Sequence, residues 1–193
     1  LLNIPNILTL IRLALIPALV VVYFMPGRWA AAVATAIFVV AALTDLLDGY
    51  LARRLEQASP LGAFLDPVAD KLVVAAALVL LASDPLVHGH VWDSRLFVVM
   101  VLVIIGREIT VSALREWMAE IGKRKKVAVS SLGKVKTVMQ MVAISFLLFR
   151  DSLWSIPIMT IGEILLYLAA ILTLMSMLSY LRAAWPALSS NGH

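Results

Sequence analysis

Asp45, Asp48, Asp66 and Asp70 fall within one 26-residue window, between hydrophobic runs long enough to enter a bilayer. An ionised carboxylate near hydrocarbon is costly unless it faces a polar cavity, a counter-charge or a metal. Asp45 and Asp48 are three residues apart, about 60° around a helix, while Asp66 and Asp70 are four apart, about 40°. Each pair therefore shares one helix face, near the ends of two helices joined by a short turn. Four carboxylates converging there repel one another without a cation. Hard oxygen donors favour Mg²⁺, Mn²⁺ or Ca²⁺. A set of this size can bridge two ions about 3.5–4 Å apart, as in sites that handle phosphoryl groups.

The residues between the aspartates fit a nucleotide diphosphate. Gly49 follows Asp48 and lets a ligand approach the helix backbone, and Ala52 is small and one turn further on. Arg53 can pair with a diphosphate oxygen. Gly62 opens the facing helix one turn before Asp66. A purely architectural reading would pair the aspartates with Arg53, Arg54, Lys71 and Arg107 and have them lock helices together. The set as a whole, with its glycines and arginine, favours a ligand site over that reading.

Helices must carry these groups. The chain has 193 residues, 62% hydrophobic and 15% charged, against about 25% charged in a soluble domain. It is read as an all-α integral membrane protein. Six helices are predicted, over about Pro5–Phe24, Trp29–Arg54, Leu61–Ala82, Arg95–Ile121, Gly133–Phe149 and Ile158–Leu181, forming one domain over residues 1–193. Turn signals separate them at Pro26-Gly27, Ser59-Pro60, Asp84–Asp93, Lys123–Ser131 and Arg150–Pro157. Charge interrupts the third to fifth of these helices, leaving few uninterrupted spans. Leu1 to Met25 has neither a basic leading region nor a small-residue cleavage site, so it reads as a first membrane helix rather than a signal peptide.

With no cysteine, a metal has only oxygen and three histidines to bind it. The formal charge of +4 suits an anionic leaflet, and no soluble basic domain supports a nucleic-acid partner. Arg53, Arg54 and the Lys123–Lys126 run lie at the same end as the aspartates. The positive-inside rule makes that end, and both termini, cytoplasmic. Trp29, Trp92, Trp154 and Trp185 fall near expected interfaces. His88 and His90 lie at the opposite end and are given no role.

The run from Asp45 to Asp70 reads D-x2-D-G-x2-A-R-x8-G-x3-D-x3-D. It resembles the signature of the CDP-alcohol phosphotransferase family without a departure. The resemblance implies a membrane enzyme with six transmembrane helices, usually a homodimer, that moves a substituted phosphate from a CDP-linked donor to an alcohol. It implies that Asp45, Asp48, Asp66 and Asp70 hold two Mg²⁺ ions (or Mn²⁺), with Asp70 as general base. Gly49, Ala52, Arg53 and Gly62 are the implied CDP-contacting positions. The segments Asn3–Arg12, Gly62–Lys71, Arg107–Glu120 and Gly133–Thr137 are similar to the bacterial branch that makes phosphatidylglycerophosphate. That implies CDP-diacylglycerol as donor, sn-glycerol 3-phosphate as acceptor, CMP as leaving group and the inner (plasma) membrane as location. In that branch the region of Asn6, Thr9 and Arg12 borders the nucleotide; helix capping and interfacial snorkelling explain their spacing equally well.

A phosphate-bearing acceptor also follows from charge. Arg107 and Arg115 lie on an expected membrane helix, where arginine needs an anion or a cavity. Ser131 is a candidate N-cap three residues before Lys134, which would place a helix N-terminus and a lysine together. Lys136 lies about 200° from Lys134 around a regular helix, so both cannot face one ligand. Arg107, Arg115 and Lys134 are therefore the expected acceptor-phosphate residues. The competing readings are a family member using inositol phosphate, serine or phosphatidylglycerol, and a small transporter with an acidic relay.

Overall fold

In hydrocarbon every backbone N–H and C=O must be paired within the protein, and a helix does this within its own segment. The computed structural model describes residues 4–55, 60–122, 131–150 and 156–189. Within these, side chains are described except at 4–5, 46–55, 60–61, 63–64, 131–134 and 187–189. The described elements are α1 (Ile4–Tyr23), α2 (Ala30–Leu55), α3 (Pro60–Ser83), α4 (Pro85–His88), α5 (Ser94–Glu120), α6 (Ser131–Phe149) and α7 (Ile158–Ser189). The six long helices match the expected ones, and α4 is a single turn inside the expected Asp84–Asp93 connection. It forms because Asp84 accepts from the Leu86 N–H at 2.9 Å and Pro85 occupies the first turn.

Among the described residues, three helices are long and apolar enough to cross a membrane: α1 over Asn6–Tyr23, α5 over Ser94–Glu120 and α7 over Ile158–Pro186. α5 is thus long and apolar enough to be the expected membrane helix although it carries Arg107 and Glu108. Shorter apolar stretches run over Ala30–Asp45 in α2 and Val135–Phe149 in α6. The chain is a membrane protein built of several apolar helices. Its outer faces are apolar as well as its core: Val79, Leu102, Ile109 and Val138 are all more than half exposed. A soluble bundle would carry charge there.

Helix α1 packs on α2 and α3, α6 packs on α7 and α2, and α5 packs on α7 and α3. Their shared interior holds Leu19, Phe38, Leu78, Phe97, Ile144 and Leu166, all fully or almost fully buried. A second cluster joins Val111, Leu114 and Met118 of α5 to Tyr180 and Ala184 of α7. That contact explains why α7 continues past its expected end at Leu181, through Arg182 and Pro186. At the end of α5 the chain turns through Gly122, whose φ of +72° is left-handed, and its N–H donates to the Ala119 carbonyl at 3.1 Å. At the start of α5, Asp93 accepts from the Leu96 and Arg95 N–H groups at 2.9 and 2.7 Å. Those two bonds hold its carboxyl below the usual aspartate range.

Away from the aspartate end, three helix termini are tied together. Tyr23 donates to Asp84 Oδ2 at 2.6 Å, and Arg150 pairs with the same oxygen at 2.6 Å. The Arg150 guanidinium lies 4.3 Å from the centre of the Tyr23 ring. Arg150 adopts φ +63° just beyond α6, a conformation unfavourable for a residue with a side chain. Its ion pair with Asp84 offsets that cost. Asp84→Ala is expected to destabilise the fold by about 2–3 kcal/mol, since it leaves a largely buried arginine without its partner. A fall in thermal midpoint in detergent would register this, whereas an unchanged midpoint would show that the tie contributes nothing.

Candidate active site

The first helix supplies donors to the aspartates. Asn6, Thr9 and Arg12 are at most 1% exposed, so the stripe turns inward and does not snorkel to the interface. Arg12 donates to Asp45 Oδ1 at 2.7 Å and Thr9 donates to Asp66 Oδ1 at 2.5 Å. α1 can do this because it packs against both α2 and α3, which carry the two aspartate pairs. Among the described residues Asp45 and Asp66 thus pair with α1, not with the Arg107 or Lys71 of the architectural alternative. The side chains of Arg53 and Arg54 lie outside those described.

Asp70 is half-buried on α3, one turn beyond Asp66. Asp45, Glu108, Arg12 and Lys71 all lie within electrostatic reach of it. Beside it, Lys71 donates to the Ser112 hydroxyl on α5, fixing a cation next to the aspartates. Gly62 is buried at the start of the same helix. Asp48, Gly49, Ala52 and Arg53 lie on the helical backbone of α2, but their side chains are outside those described. No three acidic or histidine side chains form a closed metal cage among the described residues. What is present fits a hard cation by donor type: Asp45 and Asp66 each give one oxygen to an α1 donor, and each carries a second. Thiolates are absent from the chain.

A second polar group lies between α5, α6 and α7. Arg107 is 8% exposed and donates to Ser176 Oγ at 2.9 Å and to Glu108 Oε1 at 3.1 Å. Lys136 is 1% exposed and pairs with Glu108 Oε1 as well. The Arg107 guanidinium also approaches the Tyr180 ring, 5.8 Å from its centre. Both Glu108 and Lys136 act electrostatically on Asp70, which links this group to the aspartates. Arg115, two turns after Arg107, is exposed and is not brought together with it. The helix containing Lys134 begins at Ser131, so Ser131 is its first residue, and both side chains lie outside those described.

Sequence reasoning passed over Lys136 and Glu108. The signal was present: a glutamate beside an arginine in an apolar helix needs a cation from a neighbour, and the 200° separation of the two lysines left one to face inward. Packing turns Lys136 into the bundle, while the side chain of Lys134 lies outside those described.

The chain was compared with known proteins. Residues 2–175 match the family model described as CDP-alcohol phosphatidyltransferase. A protein of Salmonella choleraesuis (strain SC-B67) named CDP-diacylglycerol--glycerol-3-phosphate 3-phosphatidyltransferase is 53% identical over 182 residues, 94% of either chain. Proteins of the same name from Shigella flexneri and Escherichia coli (strain K12) are each 52% identical over the same share of both chains. The aspartate pairs of α2 and α3 and the extent of these matches lead to one assignment: the chain belongs to the CDP-alcohol phosphatidyltransferase family.

Proposed function

We propose that this protein transfers the phosphatidyl group of CDP-diacylglycerol to sn-glycerol 3-phosphate, releasing CMP and giving phosphatidylglycerophosphate. The observation that carries this reading is identity above one half to proteins named for that reaction, along 94% of both chains. A buried pair of cations near the aspartates supports it, since an acceptor bearing its own phosphate needs such a place.

In this reading one catalytic domain of six membrane-crossing helices, acting as a homodimer in the inner membrane, keeps its site and both termini on the cytoplasmic side. Asp45, Asp48, Asp66 and Asp70 would hold Mg²⁺, two ions or Mn²⁺ in their place. Bound there, the metal would neutralise charge on the diphosphate and on departing CMP. The other work falls to the chain itself. Asn6, Thr9, Gly49, Ala52, Arg53 and Gly62 border the cytidine diphosphate. Asp70 takes the proton from the glycerol 1-hydroxyl as that oxygen attacks the phosphorus bearing the diacylglycerol. Arg107 orients the acceptor through its phosphate, so binding energy aligns the hydroxyl; Lys134 and the exposed Arg115 complete the expected acceptor set from separate positions. Arg107 is the best supported of the three, because it is buried beside a second cation.

The test is transfer of label from radiolabelled CDP-diacylglycerol by the purified protein, with glycerol 3-phosphate, inositol phosphate, serine and phosphatidylglycerol offered in turn. Label is expected in the glycerol 3-phosphate product at a rate far above the rest. Preferential labelling of another acceptor would replace this assignment with a different member of the family. Absence of any transfer would remove the enzyme reading.

A further inference from the structure

Arg107 and Lys136 are two cations almost fully enclosed in a bundle of apolar helices, and both meet one carboxylate oxygen, Glu108 Oε1. Within the contact group itself one carboxylate faces two cations, and Asp70 acts on Lys136 only through space. The Arg107 Nε is buried without an acceptor, and its other donating arm is spent on the neutral Ser176 hydroxyl. A buried donor without an acceptor is costly to keep, and an oxygen-rich anion removes that cost. Glu108 is the most open of the three, its side chain 25% exposed against 9% for Arg107 and 1% for Lys136. An anion reaching the cations therefore meets them beside Glu108.

Without Glu108, two like charges would sit close together in a medium of low dielectric, and they would repel. Lysine is a point charge on a flexible stem, so its ammonium would move first. We propose that Glu108 is a positioning residue: its carboxylate holds Lys136 beside Arg107 at the spacing that receives the acceptor's phosphate, and so sets the preference for a phosphorylated alcohol. This rests on the acceptor assigned above. Glu108 touches neither reacting oxygen nor phosphorus; it acts through the two cations.

The test uses the full-length protein in lipid–detergent micelles, with KM and kcat measured separately for each substrate. Glu108→Gln is expected to raise KM for glycerol 3-phosphate about tenfold, with KM for CDP-diacylglycerol within about twofold of the unsubstituted protein. Competitive inhibition by inorganic phosphate against glycerol 3-phosphate should weaken by about the same factor. Glu108→Asp keeps the charge on a shorter stem and should give a smaller rise, about threefold. A purely structural role would move both KM values together or lower kcat alone, and either result overturns the proposal. So does an unchanged acceptor KM in an active variant. Where Glu108→Gln does not fold, the aspartate variant decides by the same comparison. If the unsubstituted protein prefers a non-phosphorylated acceptor, the acceptor reading fails and this proposal fails with it. An unchanged KM in a variant of a glycerol 3-phosphate enzyme refutes this proposal alone.

Discussion

Asp70→Asn is expected to lower kcat by about 10²–10⁴-fold, the usual contribution of a positioned general base, while CDP-diacylglycerol still binds. Asparagine keeps the size of the side chain and one oxygen but cannot take a proton from an alcohol. The neighbours give the reason for choosing this aspartate. Asp45 and Asp66 each commit an oxygen to a donor on α1. Asp70 lies within electrostatic reach of both Asp45 and the Glu108–Lys136 pair, and the base role is the one that the family resemblance implies for it. Single-turnover transfer, with equilibrium binding of the donor, separates the two effects. Titration with Mg²⁺ separates two roles: excess metal rescues a weakened ligand but does not rescue a missing base. Equal turnover in the two proteins would exclude Asp70 as the base.

Chelation is expected to have the larger effect. Treatment with EDTA should reduce transfer to background, and Mg²⁺ or Mn²⁺ should restore it. Aspartates drawn together on α2 and α3 repel each other in a low-dielectric site, and a divalent cation converts that repulsion into binding. A ligand that binds only the native state also stabilises it. The thermal midpoint in detergent should therefore rise on adding Mg²⁺, and this measurement does not depend on turnover. A midpoint indifferent to Mg²⁺, with full transfer in EDTA, would remove the metal from the mechanism. Asp45→Ala should abolish the Mg²⁺-dependent rise, which assigns the effect to this site.

Much of the site could be read from residue order because it is local. The spacings from Asp45 to Asp70 lie on two consecutive helices, where helical geometry alone fixes which residues share a face. The inward turn of Asn6, Thr9 and Arg12 could not be read this way, since capping and snorkelling use the same residue types; packing of α1 against α2 and α3 decides it. The polar group between α5, α6 and α7 was harder still. Glu108 and Lys136 are 28 residues apart, on different helices. Their meeting depends on how α5, α6 and α7 pack, which periodicity does not encode. The helix boundaries show the same division: α7 runs beyond Leu181 because Tyr180 and Ala184 find partners on α5.

Arg107 has a consequence for how the protein is made. It sits in the interior of α5, a helix long and apolar enough to cross the bilayer, where an unpaired arginine costs about 3 kcal/mol on insertion. Two of its supports, Ser176 and the Tyr180 ring, belong to α7 and leave the ribosome later. Of the described partners of Arg107, the adjacent Glu108 is the one made together with it. A chain truncated before α7 would therefore leave Arg107 in a membrane-length helix without Ser176 and the Tyr180 ring.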